Sequence, residues 1–389
     1  MRRPFAALLA LSLVIPLAAC GVKKEAEAPA AEVEEASQSG PTEEELREAA
    51  VREKIAGMTL EEKVGQLFFV QCPAADAAEK IARYHLGGVL LFTRDYKDGA
   101  ENWLTREAFM AKFADFQAAA DAEAPLFIGS DEEGGAVTRA SRNPNLFPAK
   151  RPSPQAVFAA GGMEEIVREA GEYNRALRAL GVNVNFAPVC DVSTDAGDFI
   201  YERAFGQDAE ATARYVSQVV PVMNAAGIAC VLKHFPGYGN NADTHTGLAI
   251  DERPYETFEK SDFLPFRAGV DAGAPFVLVS HNVVKCMDAD LPASLSPEVH
   301  RVLREELGFE GVILTDDLSM GAVAEYAGDG SVAVLALRAG NDMLVTADFE
   351  AQIAQVLEAM RSGALEEAVI DAALTRVLRA KQALAERAD

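Results

Sequence analysis

Titratable residues sit at the ends of apolar runs throughout this chain of 389 residues. Ser130-Asp131-Glu132-Glu133-Gly134-Gly135 follows one run, and Pro188-Val189-Cys190-Asp191 closes another. Lys233-His234-Phe235-Pro236-Gly237, Ser280-His281-Asn282 and Thr315-Asp316-Asp317 close three more. His234, His245 and His281 all belong to these stretches or follow them closely. One aspartate at such a point reads as a helix N-cap; five polar run ends point to a shared site. Asp243-x-His245 has the make-up of a proton-transfer dyad, in which a carboxylate bonded to one ring nitrogen fixes the tautomer and raises the basicity of the other. Without its neighbours the same pair would read as a solvated surface pair. Asp316 is either a cap or a reactive carboxylate, and Asp317 beside it can take the capping role.

The runs themselves are Gly65–Cys72, Gly87–Phe92, Leu126–Gly129, Val182–Val189, Cys230–Leu232, Pro275–Val279, Gly311–Leu314 and Asp342–Val345. Continuous Val/Ile/Leu-rich runs are what parallel strands covered on both faces look like. Amphipathic stretches such as Met163–Leu180, Ala209–Ala226 and Tyr255–Ala272 lie between them and read as helices. Eight strands alternating with helices predict an α/β fold, a (β/α)8 TIM barrel, in which reactive side chains project from the C-terminal strand ends. A doubly wound open sheet is the rival; no G-x-G-x-x-G follows the first strand, which weakens its dinucleotide-binding form. Leu365–Arg387 reads as a closing helix on the barrel wall.

The N-terminus reads as an address. Arg2 and Arg3 precede the apolar run Phe5–Ala19, shorter than the roughly 20 residues of a membrane span and suited to a signal peptide. It ends in Leu17-Ala18-Ala19-Cys20, which resembles a bacterial lipoprotein box and makes Cys20 a lipidation candidate; an ordinary secretory signal with an incidental cysteine is the alternative. Residues 1–19 are therefore expected to be removed, leaving the protein outside the cytoplasm and lipid-anchored to a bacterial membrane. Residues 20–47, rich in Glu, Ala, Pro and Ser, bury too little to offset ordering entropy and are expected to be a flexible acidic tether. The catalytic-size unit is then 48–389. Capping boxes at Thr42-x-x-Glu45 and Thr59-x-x-Glu62 mark the first helices.

Composition excludes several classes. Hydrophobic residues make up 49% of the chain, which rules out bulk disorder. A formal net charge of −24 argues against a nucleic-acid partner. Five cysteines cannot staple so long a chain. With Cys20 lipidated, Cys72, Cys190, Cys230 and Cys286 read as buried small hydrophobes rather than bridges.

Lys233-His234-Phe235-Pro236-Gly237-Tyr238-Gly239, Asp243-Thr244-His245 and Thr315-Asp316-Asp317-Leu318-Ser319-Met320 resemble the signatures of glycoside hydrolase family 3, and more narrowly its β-N-acetylhexosaminidase branch. Asp131-Glu132-Glu133-Gly134-Gly135 with Arg139, Asn185-Phe186-Ala187-Pro188-Val189 and Glu202-Arg203-Ala204-Phe205-Gly206 match further segments in order, from about Thr59 to about Met343. The resemblance implies a retaining exo-β-N-acetylglucosaminidase acting on GlcNAc-terminated peptidoglycan fragments or chitooligosaccharides, without cofactor or metal. Asp316 would be the nucleophile, and Asp243 with His245 the acid/base. Asp131, Arg139, Arg203, Lys233 and His234 would bind the sugar, although a structural ion pair is an alternative for Lys233. Tyr238 and Ala136 depart from the branch, where a histidine and an arginine are common, and leave the aglycone open. A family 3 β-glucosidase or a β-N-acetylglucosaminide phosphorylase stays possible. So does a non-catalytic glycan-binding lipoprotein, and a zinc hydrolase using His234, Asp243, His245, His281 and Asp316 is disfavoured by the absence of H-x-H or H-E-x-x-H. Oligomeric state is left open. His85 and His300 read as surface or packing residues.

Overall fold

The computed structural model describes residues 42–121, 124–241, 249–320 and 330–387, with Gly40, Val323, Tyr326 and Gly328. All eight expected runs contain strands. They are β1 (Phe68–Gln71), β2 (Gly88–Leu91), β3 (Phe127–Ser130), β4 (Val184–Asn185), β5 (Ala229–Phe235), β7 (Phe276–Val279), β9 (Val312–Thr315) and β10 (Leu344–Thr346). A short pair, β6 (Ile250–Asp251) and β8 (Val283–Val284), lies apart from them. The eight form one parallel sheet in the order β10-β1-β2-β3-β4-β5-β7-β9. A parallel bridge from Leu314 to Met343 brings its two ends together, so the sheet curls into a nearly closed barrel. The (β/α)8 expectation holds.

Aromatic rings fill the barrel. Phe69 stacks parallel to Phe127 at 6.2 Å and meets Phe186 edge-on at 5.2 Å, while Phe127 meets Phe276 edge-on at 5.2 Å. Glycine on β3 makes the space: a Cβ on Gly129 would lie 2.7 Å from Phe186 and 2.8 Å from Phe69. The interior is therefore a packed plug of aromatic rings between the two ends of the barrel.

Three elements differ from expectation. The run Val182–Val189 pairs as a strand over only two residues: the Ala187 N–H turns back to the Asn185 carbonyl at 2.7 Å, and Pro188 after it has no N–H to donate to the ladder. Contact with β5 continues on both sides of the proline, Val231 N–H donating to the Ala187 carbonyl at 3.0 Å and Cys190 N–H to the Lys233 carbonyl at 2.7 Å. The expected helix Tyr255–Ala272 is broken by a π-helical turn, Phe258–Asp262, before Phe263–Asp271; Pro265, at the next turn, cannot donate to the carbonyl four residues back. The N-terminal helix starts at Glu43, inside the stretch expected as tether. The Thr42/Glu45 capping box is formed, and Arg47 bonds Glu386 of the closing helix Glu367–Glu386 at 3.0 Å. The Thr59/Glu62 box is formed too. Among the described residues no helix is long and apolar enough to cross a membrane.

Cys72, Cys190 and Cys230 are buried and free, as expected. Cys286 is free but exposed, because it follows β8 in a surface turn rather than lying in a core strand. His300 is buried, its Nδ1 donating to the Ser296 carbonyl at 2.8 Å.

Candidate active site

A cavity of ≈350 Å³ opens at the C-terminal ends of the barrel strands, floored by Phe186. Asp131, Arg139, Arg203, Lys233, His234 and Asp316 all line it. These are six of the eight candidate catalytic and sugar-binding residues. Asp243 and His245 lie outside the described residues, as does Cys20.

Strand ends and the loops that follow them fix each side chain. Lys233 lies two residues before the end of β5, where its ammonium donates to Asp131 at 2.8 Å and to Glu133 at 2.6 Å. Arg203 forms a fork on Glu133, Nε to Oε2 at 3.0 Å and Nη2 to Oε1 at 2.8 Å. Such paired contacts carry more direction than a point charge does. Burial alone would raise the Glu133 carboxyl; Arg203 and Lys233 overcome that and hold it well below the usual carboxylate range. Glu133 thus neutralises two cations, and the Lys233 ion pair and its place in the cavity coexist. Asp131 is held between Lys233 and Arg139, the latter at 3.5 Å.

The Arg139 segment is pinned by Glu132. Its carboxylate accepts the Arg139 and Ala140 N–H groups, the Tyr173 hydroxyl at 2.6 Å and the Ser141 hydroxyl at 3.2 Å. Burial pushes the Glu132 carboxyl up, and those donors counter it in part.

His234 has both ring nitrogens engaged. Nδ1 lies 2.8 Å from Asp191 Oδ2, and Nε2 lies 3.0 Å from Arg203 Nη2. A guanidinium has no acceptor, so Nε2 accepts from Arg203 and Nδ1–H donates to Asp191. The ring is the neutral Nδ1–H tautomer, held in place against Tyr238, whose ring meets it edge-on at 5.1 Å. Asp191 also accepts the Tyr238 N–H at 2.8 Å. The position occupied by tyrosine is therefore buried behind His234 rather than open to the cavity.

Asp316 follows β9, its own N–H donating to the Val279 carbonyl at 2.9 Å. Asp317 carries the turn, accepting the Ser319 N–H at 2.8 Å and the Gln71 amide on its other oxygen. Asp317 thus shapes the turn, while Asp316, whose Oδ1 also accepts the Asp317 N–H at 2.8 Å, lines the cavity. The arrangement offers a carboxylate on one wall and a fixed fan of donors and acceptors on the opposite strand ends. That set suits attack at an electrophilic carbon of a polyhydroxylated ring held by paired hydrogen bonds.

Sequence reasoning placed Glu133 and Asp191 at strand ends without giving them a role, read Asp317 only as a cap, and missed Gln71. The same strand-end rule that found Asp131 reaches all four; what sequence lacks is which cation each one neutralises or orients. Among the described residues no group of three or more His, Cys, Asp or Glu is arranged to hold a metal ion.

The pattern described as the glycosyl hydrolase family 3 N-terminal domain matches residues 59–380. A beta-hexosaminidase of Nitrosospira multiformis is 35% identical over 276 residues, 70% of this chain and 76% of that one. The beta-hexosaminidase LpqI of Mycobacterium tuberculosis is 32% identical over 329 residues, 81% of each chain. A solved family 3 beta-N-acetylglucosaminidase from Paenibacillus superposes with a TM-score of 0.77 at 34% identity, covering 85% of this chain and 63% of that one.

Proposed function

The chain belongs to glycosyl hydrolase family 3, and from that premise we propose that it is a retaining exo-β-N-acetylglucosaminidase. It removes terminal β-GlcNAc from peptidoglycan fragments or chitooligosaccharides. The observation that carries the reading is the single cavity lined by Asp316 and by Asp131, Arg139, Arg203, Lys233 and His234. The beta-hexosaminidase relatives support the acetamido sugar as substrate.

In this reading Asp316 attacks the anomeric carbon while the aglycone oxygen leaves with the bonding electron pair and takes a proton from His245, which Asp243 orients. Water then adds to the same carbon, gives its proton back to His245, and frees the Asp316 carboxylate. Two displacements give net retention. Asp131 and the cations around it hold the hydroxyls, and Glu133 keeps the local charge balanced.

The deciding assay compares aryl β-N-acetylglucosaminide with the matching β-glucoside, with and without phosphate and chelator. Release from the acetamido compound alone, indifferent to both additives, is expected. No release from it, or loss of activity with chelator, overturns the reading; acceleration by phosphate with a sugar phosphate as product makes it a phosphorylase.

The N-terminal sequence supports processing at Cys20 and attachment to a bacterial membrane outside the cytoplasm. Alkyne-palmitate labelling of the full chain, abolished in Cys20→Ala, is the expected result; equal labelling of the variant overturns it.

A further inference from the structure

Both ends of the segment 242–248 are tied to one buried ion cluster. The chain leaves β5 through Gly237 and Asn241 and returns at β6, where Val283 N–H donates to the Ala249 carbonyl at 2.9 Å. Asp251 Oδ2 accepts the Asn241 side-chain amide at 2.9 Å, so one carboxylate holds the point of departure and sits at the point of return. Arg253 locks that carboxylate, Nη2 to Asp251 Oδ2 at 2.7 Å and Nε to Oδ1 at 3.1 Å. Its Nη1 reaches both oxygens of Asp262, at 3.1 and 3.0 Å, and its Nη2 donates to the Gly237 carbonyl at 3.3 Å. The guanidinium lies over the Phe258 ring, 4.4 Å from its centre.

The turn is built to accept this cluster. Gly237 and Gly239 have φ of +122° and +53°, and a Cβ on either would come within 2.4 Å of Asp262 or Arg253. The side chains of Asp251 and Asp262 are each 1% exposed. Burying two carboxylates around one guanidinium is a poor way to gain stability, since apolar packing of the same volume does as well or better. What the cluster does supply is direction: five charge-assisted contacts to two carboxylates define where the two flanks lie relative to β5 and His234.

We propose that Asp251, Arg253 and Asp262 are positioning residues for the proton-transfer step, fixing both flanks of the segment that carries Asp243 and His245. The inference rests on the reading that this segment supplies the acid/base, and it concerns how that group is held rather than which group it is. A loosened flank leaves Asp316 in place but misplaces the proton donor, and displacements of an ångström cost about 100-fold. The loss then depends on how much the leaving group needs a proton.

The test is a series of aryl β-N-acetylglucosaminides whose phenols span a wide range of acidity. Arg253→Ala is expected to lower kcat/KM about 100-fold for the phenyl glycoside and no more than about threefold for the 2,4-dinitrophenyl glycoside, whose departure needs no protonation. Asp262→Asn, which keeps the shape and one acceptor, is expected to shift the series the same way by less, and serves alone if Arg253→Ala fails to fold. Equal losses across the series, or none, in variants that melt like the parent overturn the proposal. His245→Phe is run alongside: if it too shows no dependence on the leaving group, the acid/base assignment fails; if it alone shows the dependence, the positioning role fails.

Discussion

His281 Nε2 lies 3.0 Å from the main-chain carbonyl of Asp317, one residue beyond Asp316. A carbonyl only accepts, so Nε2 carries the hydrogen and donates. Nδ1 lies 2.7 Å from the Ser294 hydroxyl, which fixes the ring from its other side. With the Gln71 amide on the Asp317 carboxylate, the turn bearing Asp316 is held from β1 and from the loop after β7. The imidazole is buried and does not line the cavity that holds Asp316, so its part is to position. His281→Ala is expected to lower kcat about 100-fold while KM moves no more than about threefold, with His281→Gln recovering part of the loss. Steady-state kinetics on an aryl β-N-acetylglucosaminide checks this; a rise in KM with kcat preserved would place His281 in substrate binding instead.

Asp316 gives the most direct chemical prediction. If its carboxylate forms the glycosyl intermediate, Asp316→Ala loses activity by roughly 10⁴-fold or more, the scale seen when a covalent nucleophile is removed. A 5-fluoro-N-acetylglucosaminyl fluoride, which slows the second displacement, should leave one sugar mass on the peptide containing Asp316. The first-formed product should be the β-anomer by NMR. An α-anomer, or a label elsewhere, would falsify the assignment.

How much of this was legible in the sequence depends on the kind of interaction. Strand positions were, because burial on both faces writes itself as unbroken apolar runs such as Gly88–Leu91 and Val312–Thr315. Asp131, Lys233, His234 and Asp316, which line the cavity, were legible too, since a parallel barrel places every strand end on one rim; Arg139 and Arg203 sit in loops well past their strands and were reached only through the family resemblance. Pairings were not. Glu133 and Asp131 are two residues apart after the same strand, yet Glu133 is buried against Arg203 outside the cavity lining while Asp131 lines the cavity beside Arg139. That division is set by β5 and the Arg203 loop, 70 and more residues away. The π-helical turn before Phe263 was equally hidden, as hydrophobic spacing over Tyr255–Ala272 is that of an ordinary helix.

Glu133 is expected to matter for stability as well as for the site. Its side chain is 1% exposed and faces both Arg203 and Lys233, so Glu133→Gln leaves two cations short of a counter-charge. Breaking a buried pair in this way costs about 3–5 kcal/mol. The carboxyl is held below its unfolded value of 4.5, so its contribution is present above that pH and fades as pH falls toward the folded value. Urea unfolding of both proteins should therefore show a wide gap at pH 7 that narrows below about 4.5. A gap independent of pH would mean the loss is one of packing rather than charge.

Lys381 provides the opposite sign at the far end of the barrel. The amine is 2% exposed, donating to the Gln66 side chain at 2.7 Å and the Ala124 carbonyl at 3.2 Å, with no carboxylate among those contacts. Burial pushes it down to about 7 from 10.5, and Asp121 offsets that only in part. Between those values the unfolded chain holds a proton that the folded chain does not, so stability rises with pH across the window. Below about 7 both forms are protonated and the cost of the buried charge is complete. Lys381→Met removes the charge but leaves two acceptors without a donor, at roughly 1–3 kcal/mol, so the absolute Tm of the variant can move either way. The slope is the diagnostic: Tm of the parent should climb from about pH 7 to about pH 10, and that component should vanish in Lys381→Met. Parallel Tm profiles for the two proteins would show that Lys381 keeps its proton through the window, paired more strongly than its two neutral partners allow.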